Sequence, residues 1–144
     1  MSTITRPLKI LLLVFLWGAL LEDTCIFLMS WLVPDLWFRV FHGTLPVGLS
    51  LALLRRAGGQ WLAFAIVQAI ALWRWPRAPI WLVIVAAARF SDLFTDISYV
   101  VSAPSLTLLG RIFLLPPPLL NTLGIGILLC AYRRVANEFL PTAF

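Results

Sequence analysis

Charged side chains are scarce in this chain, and their scarcity indicates the class of protein. Only 12% of its 144 residues are Asp, Glu, Lys or Arg, whereas 62% are hydrophobic and the mean hydropathy is +0.99. Soluble domains carry about 25% charged and about 45–50% apolar residues. The composition therefore argues against an ordinary soluble domain and predicts a polytopic membrane protein. Spans need about 20 residues each, so we expect one transmembrane domain over residues 1–144.

Cysteine and histidine are rare as well. The two cysteines, Cys25 and Cys130, lie in apolar runs and lack the spacing of a metal site. His42 is the only histidine and a candidate metal ligand, for example for a haem or a chlorophyll. The alternative, which we favour, is an interfacial polar residue. Carboxylates are the other conceivable ligands, but their spacing matches no known site: Glu22, Asp23, Asp92 and Asp96. The sequence does not identify a cofactor, and whether a pigment or haem is held against a neighbouring chain stays open.

The basic residues outnumber the acidic ones but form no cluster. The net charge is +5, and the doublets Arg55-Arg56 and Arg133-Arg134 are the densest basic points. Nucleic-acid binding needs a dense basic patch or stripe, so we expect no nucleic acid partner. Scattered arginines are typical of loops that face lipid headgroups, which makes the lipid bilayer the first expected partner.

Apolar runs separated by prolines predict an all-α bundle of four transmembrane helices. The expected spans are about 9–33, 57–73, 79–101 and 114–132. Residues 35–56 and 105–113 mix arginine and glycine with apolar side chains, so we expect them at the membrane interface. The alternative for residues 36–54 is a fifth span, which would place the two termini on opposite sides of the membrane.

The distribution of basic residues predicts the orientation. With four spans, the side that holds both termini carries six basic residues: Arg6, Lys9, Arg74, Arg77, Arg133 and Arg134. The opposite side carries four: Arg39, Arg55, Arg56 and Arg111. Because cytoplasmic loops are enriched in Lys and Arg, we expect both termini in the cytoplasm, with a bacterial inner membrane as the location.

An arginine and two aspartates interrupt the third span. Arg89, Asp92 and Asp96 are spaced i, i+3, i+7 and share one face of a helix. A charge at mid-bilayer costs roughly 2.5–3.5 kcal/mol on insertion scales, so this face needs protein partners or water. Polar residues at similar depths on the other spans complete a predicted polar layer: Glu22, Asp23, Gln68 and Asn121.

Three interpretations of this layer stay open: an ion-pair network that fixes helix packing, a cavity for a polar headgroup or small molecule, and a proton or cation path. The chain is small and has no nucleophile–base pair, phosphate loop or Cys-x-x-Cys motif. We therefore favour a non-enzymatic accessory or structural subunit of a larger membrane complex, with other membrane proteins as partners. The alternative is a lipid- or small-molecule-binding membrane protein, enzyme or transport path, whose site is the layer around Arg89.

Small residues in the fourth span predict close helix packing. Gly124-x-Gly126, with Thr122 and Ala131, offers a flat surface either within the bundle or towards another subunit.

Residues 56–98 carry a resemblance to a known family. An Arg56-Ala57-Gly58-Gly59 entry into the second span is followed by a short loop of arginine and proline and by a span that holds Arg89. This segment resembles the DoxX-like group of small four-helix membrane proteins. The resemblance implies a four-helix membrane bundle, often without an assigned activity, and it assigns no role to any single residue.

Overall fold

The structure, a computed structural model, describes residues 4–102 and 105–139, with the side chains of residues 138 and 139 left aside. Within these ranges most residues are helical and no strand forms, which confirms the all-α prediction. In the described residues six helices follow one another: α1 (Arg6–Leu32), α2 (Pro34–His42), α3 (Gly48–Arg74), α4 (Ile80–Ser102), α5 (Leu108–Leu114) and α6 (Pro117–Phe139).

The start of α3 differs from the start that the apolar run suggested. The helix begins at Gly48 instead of near residue 57. The Ser50 hydroxyl accepts a hydrogen bond from the Val47 N–H (3.0 Å) and donates one to the Val47 carbonyl (2.8 Å), so the first turn is capped by its own side chain. Residues 48–56, for which the sequence predicted an interfacial position, therefore form the first turns of a long helix.

The four long helices α1, α3, α4 and α6 pack as an antiparallel bundle. α1 lies along α3 and α4 lies along α6, while contacts between α3 and α4 and between α1 and α6 close the ring. One apolar cluster unites the first halves of α1 and α4 with the last halves of α3 and α6, so the helix direction alternates along the chain. Its main buried members are Leu12, Leu16, Ala71, Trp75, Leu82, Val85, Ala86, Leu128, Ala131 and Val135.

α2 covers the opposite end of the bundle, where α1 ends and α3 begins. Trp37 and Phe41 are buried there with Leu54 of α3, and the Trp37 ring centre lies 5.4 Å from that of Trp61. α2 has 9 residues, or about 14 Å, which is too short for a hydrocarbon core of about 30 Å. The chain then turns at Gly43 (φ 67°), so residues 36–54 do not form one continuous helix.

Thr107 joins α2 to α5. Its hydroxyl donates to the Val40 carbonyl and accepts from the Gly110 N–H (3.0 Å), and its own N–H donates to the Phe41 carbonyl (3.0 Å). The helices approach so closely that a Cβ at Gly110 would overlap the Phe41 carbonyl oxygen. The two short helices therefore form one unit at this end of the bundle.

Replacing Thr107 with valine should destabilise this unit. The variant keeps the side-chain shape but loses the N-terminal cap of α5 and the bond to α2, which we expect to cost about 1 kcal/mol. Thermal unfolding in detergent measures the loss. Thr122→Val is the matched control, because among the described residues the exposed Thr122 hydroxyl bonds only the Pro118 carbonyl of its own helix. Equal unfolding temperatures for the two variants would contradict a role for Thr107 in joining the helices.

The outward faces of the long helices are apolar. Large hydrophobic side chains are exposed on each of them, for example Val14, Leu62, Ile84 and Leu123. Within the described residues, two stretches are long and apolar enough to cross a membrane, Arg6–Leu32 and Leu108–Asn137. α3 and α4 contain more polar residues, so composition alone supports two of the four predicted spans.

Candidate functional site

A buried polar cluster lies between the two apolar ends of the bundle. Asp23 and Gln68 are 1% exposed and Arg89 is 2% exposed, and Asp92 and Asn121 are also buried. These five residues come from α1, α3, α4 and α6 and were all predicted as members of the polar layer. The fold therefore brings together one or two polar side chains from every long helix.

Arg89 is the centre of this polar cluster. Its Nη2 donates to Asp23 Oδ2 on α1, and its Nη1 donates to Asp92 Oδ2 at 3.1 Å. Nη1 also lies 3.5 Å from Asn121 Oδ1 on α6, and the guanidinium carbon lies 5.1 Å from the centre of the Phe64 ring on α3. A planar guanidinium suits several fixed acceptors at once, so a single side chain contacts all four helices.

Two amide side chains complete the hydrogen bonds of the carboxylates. Gln68 Nε2 donates to Asp23 Oδ2 at 2.6 Å. Asn121 Nδ2 donates to Asp92 Oδ2 at 3.2 Å and to Asp96 Oδ2 at 2.8 Å. Asp23 and Asp92 therefore each accept from the arginine and from one amide, and such charge-assisted bonds are stronger than neutral ones.

Two predicted members lie at the edge of the cluster. Asp96 is half-buried and accepts its bond from Asn121. Glu22 is exposed on the outer face of α1, although its neighbour Asp23 is buried. Glu22 lies within electrostatic range of Arg89 and Asp92 but makes no hydrogen bond or ion pair with any described residue.

Two buried atoms of the cluster have no hydrogen-bond partner among the described residues: Gln68 Oε1 and Arg89 Nε. Buried polar atoms in proteins are normally hydrogen-bonded, to protein or to ordered water. These two atoms offer an acceptor and a donor at which a water molecule or a polar ligand atom would be satisfied.

His42 lies outside the cluster, at the end of α2. Its Nδ1 bonds the Ser105 carbonyl at 3.1 Å, and its Nε2 bonds the Tyr99 hydroxyl at 2.5 Å. Because a carbonyl can only accept, Nδ1 carries the proton and Nε2 accepts from the tyrosine. Both nitrogens are thus occupied, and a metal would have to displace one of these bonds. The described part of the chain contains no group of three or more His, Cys, Asp or Glu residues placed to hold a metal ion.

The sequence reasoning missed three residues that support these side chains. Phe64 stacks near Arg89, the Thr95 hydroxyl donates to the Asp92 carbonyl at 2.7 Å, and Tyr99 holds His42. For Tyr99 a signal was present, because position i+10 continues the i, i+3, i+7 face that begins at Arg89. Phe64 and Thr95 carry no such signal, because an aromatic ring and a threonine in a helix are ordinary packing residues.

Comparisons with known proteins gave no match, so a functional assignment rests on the geometry of the site. No family model, curated protein or solved structure matches this chain. The resemblance of residues 56–98 to the DoxX-like group stays a prediction.

Proposed function

We propose that this chain is an integral membrane bundle of four transmembrane helices, α1, α3, α4 and α6. The support is the large number of hydrophobic side chains exposed on all four long helices, because soluble monomers rarely expose apolar patches larger than a few hundred Å². The charges that lower the apolarity of α4 include Arg89 and Asp92, which are buried inside the bundle and do not face lipid. α2 and α5 would lie at the interface on the side opposite the termini.

We infer further that the chain acts as a non-enzymatic structural subunit of a larger membrane complex. The main observation behind this proposal is that the buried cation already has its hydrogen-bond partners inside the bundle. The terminal nitrogens of Arg89 bond Asp23, Asp92 and Asn121. An arginine engaged in this way fixes the register of neighbouring helices and has little freedom to bind a substrate. The connections between long helices are short or hold only α2 and α5, so the described chain offers no domain outside the bundle.

A second function has one observation in its favour. Gln68 Oε1 and Arg89 Nε are buried without a hydrogen-bond partner among the described residues, and Asp96 lies half-buried at the edge of the same cluster, where it bonds Asn121. A polar headgroup, a small molecule or a chain of waters could bond these groups, so the cluster would be a ligand site or a proton or cation path. A proton path predicts pH-dependent behaviour that disappears when Asp92 and Asp96 are both neutralised.

The orientation is part of the proposal. The basic residues on the side of the termini outnumber those on the opposite side, which supports cytoplasmic termini in a bacterial inner membrane.

The mass and composition of the particle extracted from native membranes in mild detergent test the proposal. We expect the chain to come out in an assembly with other membrane proteins, as measured by native mass spectrometry. A particle that contains only this chain would contradict the subunit role.

The variant Asp96→Asn separates the two functions. In a structural subunit it should lower assembly, whereas in a ligand site it should leave a folded protein that loses a bound lipid or small molecule. Asp35→Asn, at an exposed carboxyl of α2, is the control and should change neither.

A further inference from the structure

Glu22 is a carboxylate on the outer, otherwise apolar face of α1. Its side chain is exposed, while the adjacent Asp23 is buried in the polar cluster. Arg89 is buried within electrostatic range of Glu22, but both of its terminal nitrogens donate hydrogen bonds to other residues. Glu22 therefore has no ion-pair partner within the part of the chain that the structure describes.

The position of Glu22 lies deep within α1. The helix ends ten residues later, at Leu32, which is about 15 Å along the helix axis. A carboxylate that faces lipid at such a depth is unfavourable, and intramembrane acidic groups normally pair with another group. The charge of Glu22 is thus complementary to a cation that the described part of the chain does not pair with it.

Small residues flank Glu22 on the same face of α1. Gly18 precedes it by four residues and Cys25 follows it by three, and both are exposed. A Cβ at Gly18 would meet nothing within 4 Å, so the space beside it is open. Small residues allow a second helix to approach closely in a membrane. We call Gly18, Glu22 and Cys25 together the Glu22 face.

A second copy of this chain is the other source to consider for the missing cation. Copies inserted in the same orientation present the same residues at the same depth. The exposed pair Arg55 and Arg56 precedes Gly58, which packs against Ser30 near the end of α1. Ser30 is eight residues beyond Glu22, so these arginines lie about 12 Å or more from its level. The exposed Arg74 is nearer, because it follows Gln68, which bonds Asp23, by six residues, or about 9 Å along α3. None of these arginines lies at the level of Glu22 itself, and the proposed complex supplies other chains that can place a cation there.

We propose that the Glu22 face docks a transmembrane helix of another subunit, and that this helix carries a lysine or arginine at the depth of Glu22. The inference rests on the proposed function, since only a complex brings such a helix. It adds the contact surface and the chemistry of the partner. The small residues admit the helix backbone, and the carboxylate pairs with its cation.

Two variants of the tagged full-length chain test this surface, each with a matched control. Glu22→Gln removes the charge at nearly constant size, and Asp35→Asn is its control. Gly18→Leu fills the open face, and Gly59→Leu is its control, since Gly59 is also exposed and helical with open space around it. After mild extraction from native membranes, we expect Glu22→Gln and Gly18→Leu each to retain about tenfold less partner per chain. The controls should retain the wild-type amount.

The identity of the bound helix decides the proposal. A cross-linker attached to Cys25, in a chain whose other exposed cysteine is replaced (Cys130→Ala), should capture a subunit whose span contains a lysine or arginine. Glu22→Lys combined with a glutamate at that basic position should restore the wild-type amount of partner, which a variant that simply misfolds cannot do. A captured span without a basic residue overturns the inference, as does a complex that tolerates Glu22→Gln. Neither of these results touches the subunit role, whereas a chain that purifies only with itself overturns both.

Discussion

Replacing Arg89 with leucine is expected to destabilise the bundle by about 3–5 kcal/mol, because removal of one partner from a buried ion pair leaves the other charge uncompensated. Asp23 and Asp92 would lose their charged donor while staying buried. In the cell the same loss should appear as a low abundance of the chain. The effect should exceed that of any other single substitution proposed for this protein.

Arg89→Lys should recover little of this stability. The two terminal nitrogens of arginine reach Asp23 in one direction and Asp92 with Asn121 in another. A lysine ammonium is a single point on a flexible stem and lacks the planar fork. Preservation of the charge alone is therefore not sufficient.

Thermal unfolding in detergent and the abundance of the chain in membranes measure both variants. Arg56→Leu is the control, since Arg56 is exposed on α3. Most exposed substitutions change stability by less than about 0.5 kcal/mol. Similar unfolding of Arg89→Leu and Arg56→Leu would show that the cluster does not hold the bundle together.

Removing the charges of Asp23, Arg89 and Asp92 together distinguishes a structural role of the cluster from a ligand-binding role. Buried ion pairs replaced by apolar residues of similar volume are often neutral or stabilising. We therefore expect Asp23→Leu, Arg89→Met and Asp92→Leu in combination to unfold at a higher temperature than Arg89→Leu alone. A structural subunit should then assemble again, whereas a ligand-binding protein should be folded and inactive.

The all-helical class could be predicted because apolar runs of span length alternate with breakers such as Pro34 and Pro76. The polar cluster around Arg89 was also predictable, since three charges at helical spacing in an apolar segment need partners.

The sequence did not predict which face of α1 points into the bundle. Glu22 and Asp23 are adjacent, and neighbouring residues on a helix point about 100° apart, so only one can face the interior. Because α1 is apolar on every side, its sequence pattern does not indicate which one.

The starts of the helices were predictable only in part. α3 begins at Gly48 because of a local hydrogen bond from Ser50, a short-range signal that the longer apolar run obscures. The packing of α2 depends on the approach of Trp37 to Trp61, which belongs to another helix. Such contacts arise from tertiary structure, and no window of the sequence contains both partners.

Gly124→Leu is the second substitution with a large expected effect. A Cβ at Gly124 would overlap the Phe15 ring on α1, so a leucine must displace that ring or push α1 and α6 apart. Overpacking of a closely packed site costs typically 1–3 kcal/mol, and we expect about 3 kcal/mol here because the overlap begins at the first side-chain carbon. The predicted flat surface of Gly124 and Gly126 is thus divided, with Gly124 inside the bundle and Gly126 on its surface.

Gly126→Leu is the matched control for this clash, because a Cβ at Gly126 meets nothing within 4 Å and the residue lies in the same helix. Leucine exceeds glycine in helix propensity by about 0.8 kcal/mol at either position, so the difference between the two variants isolates the contact with Phe15. We expect Gly126→Leu to unfold at or above the wild-type temperature and Gly124→Leu well below it. Phe15→Ala added to Gly124→Leu should restore part of the loss, since it removes the ring that the leucine meets. If the two glycine variants unfold alike, then α1 and α6 do not approach each other at Gly124, and the ring of four helices is open on that side.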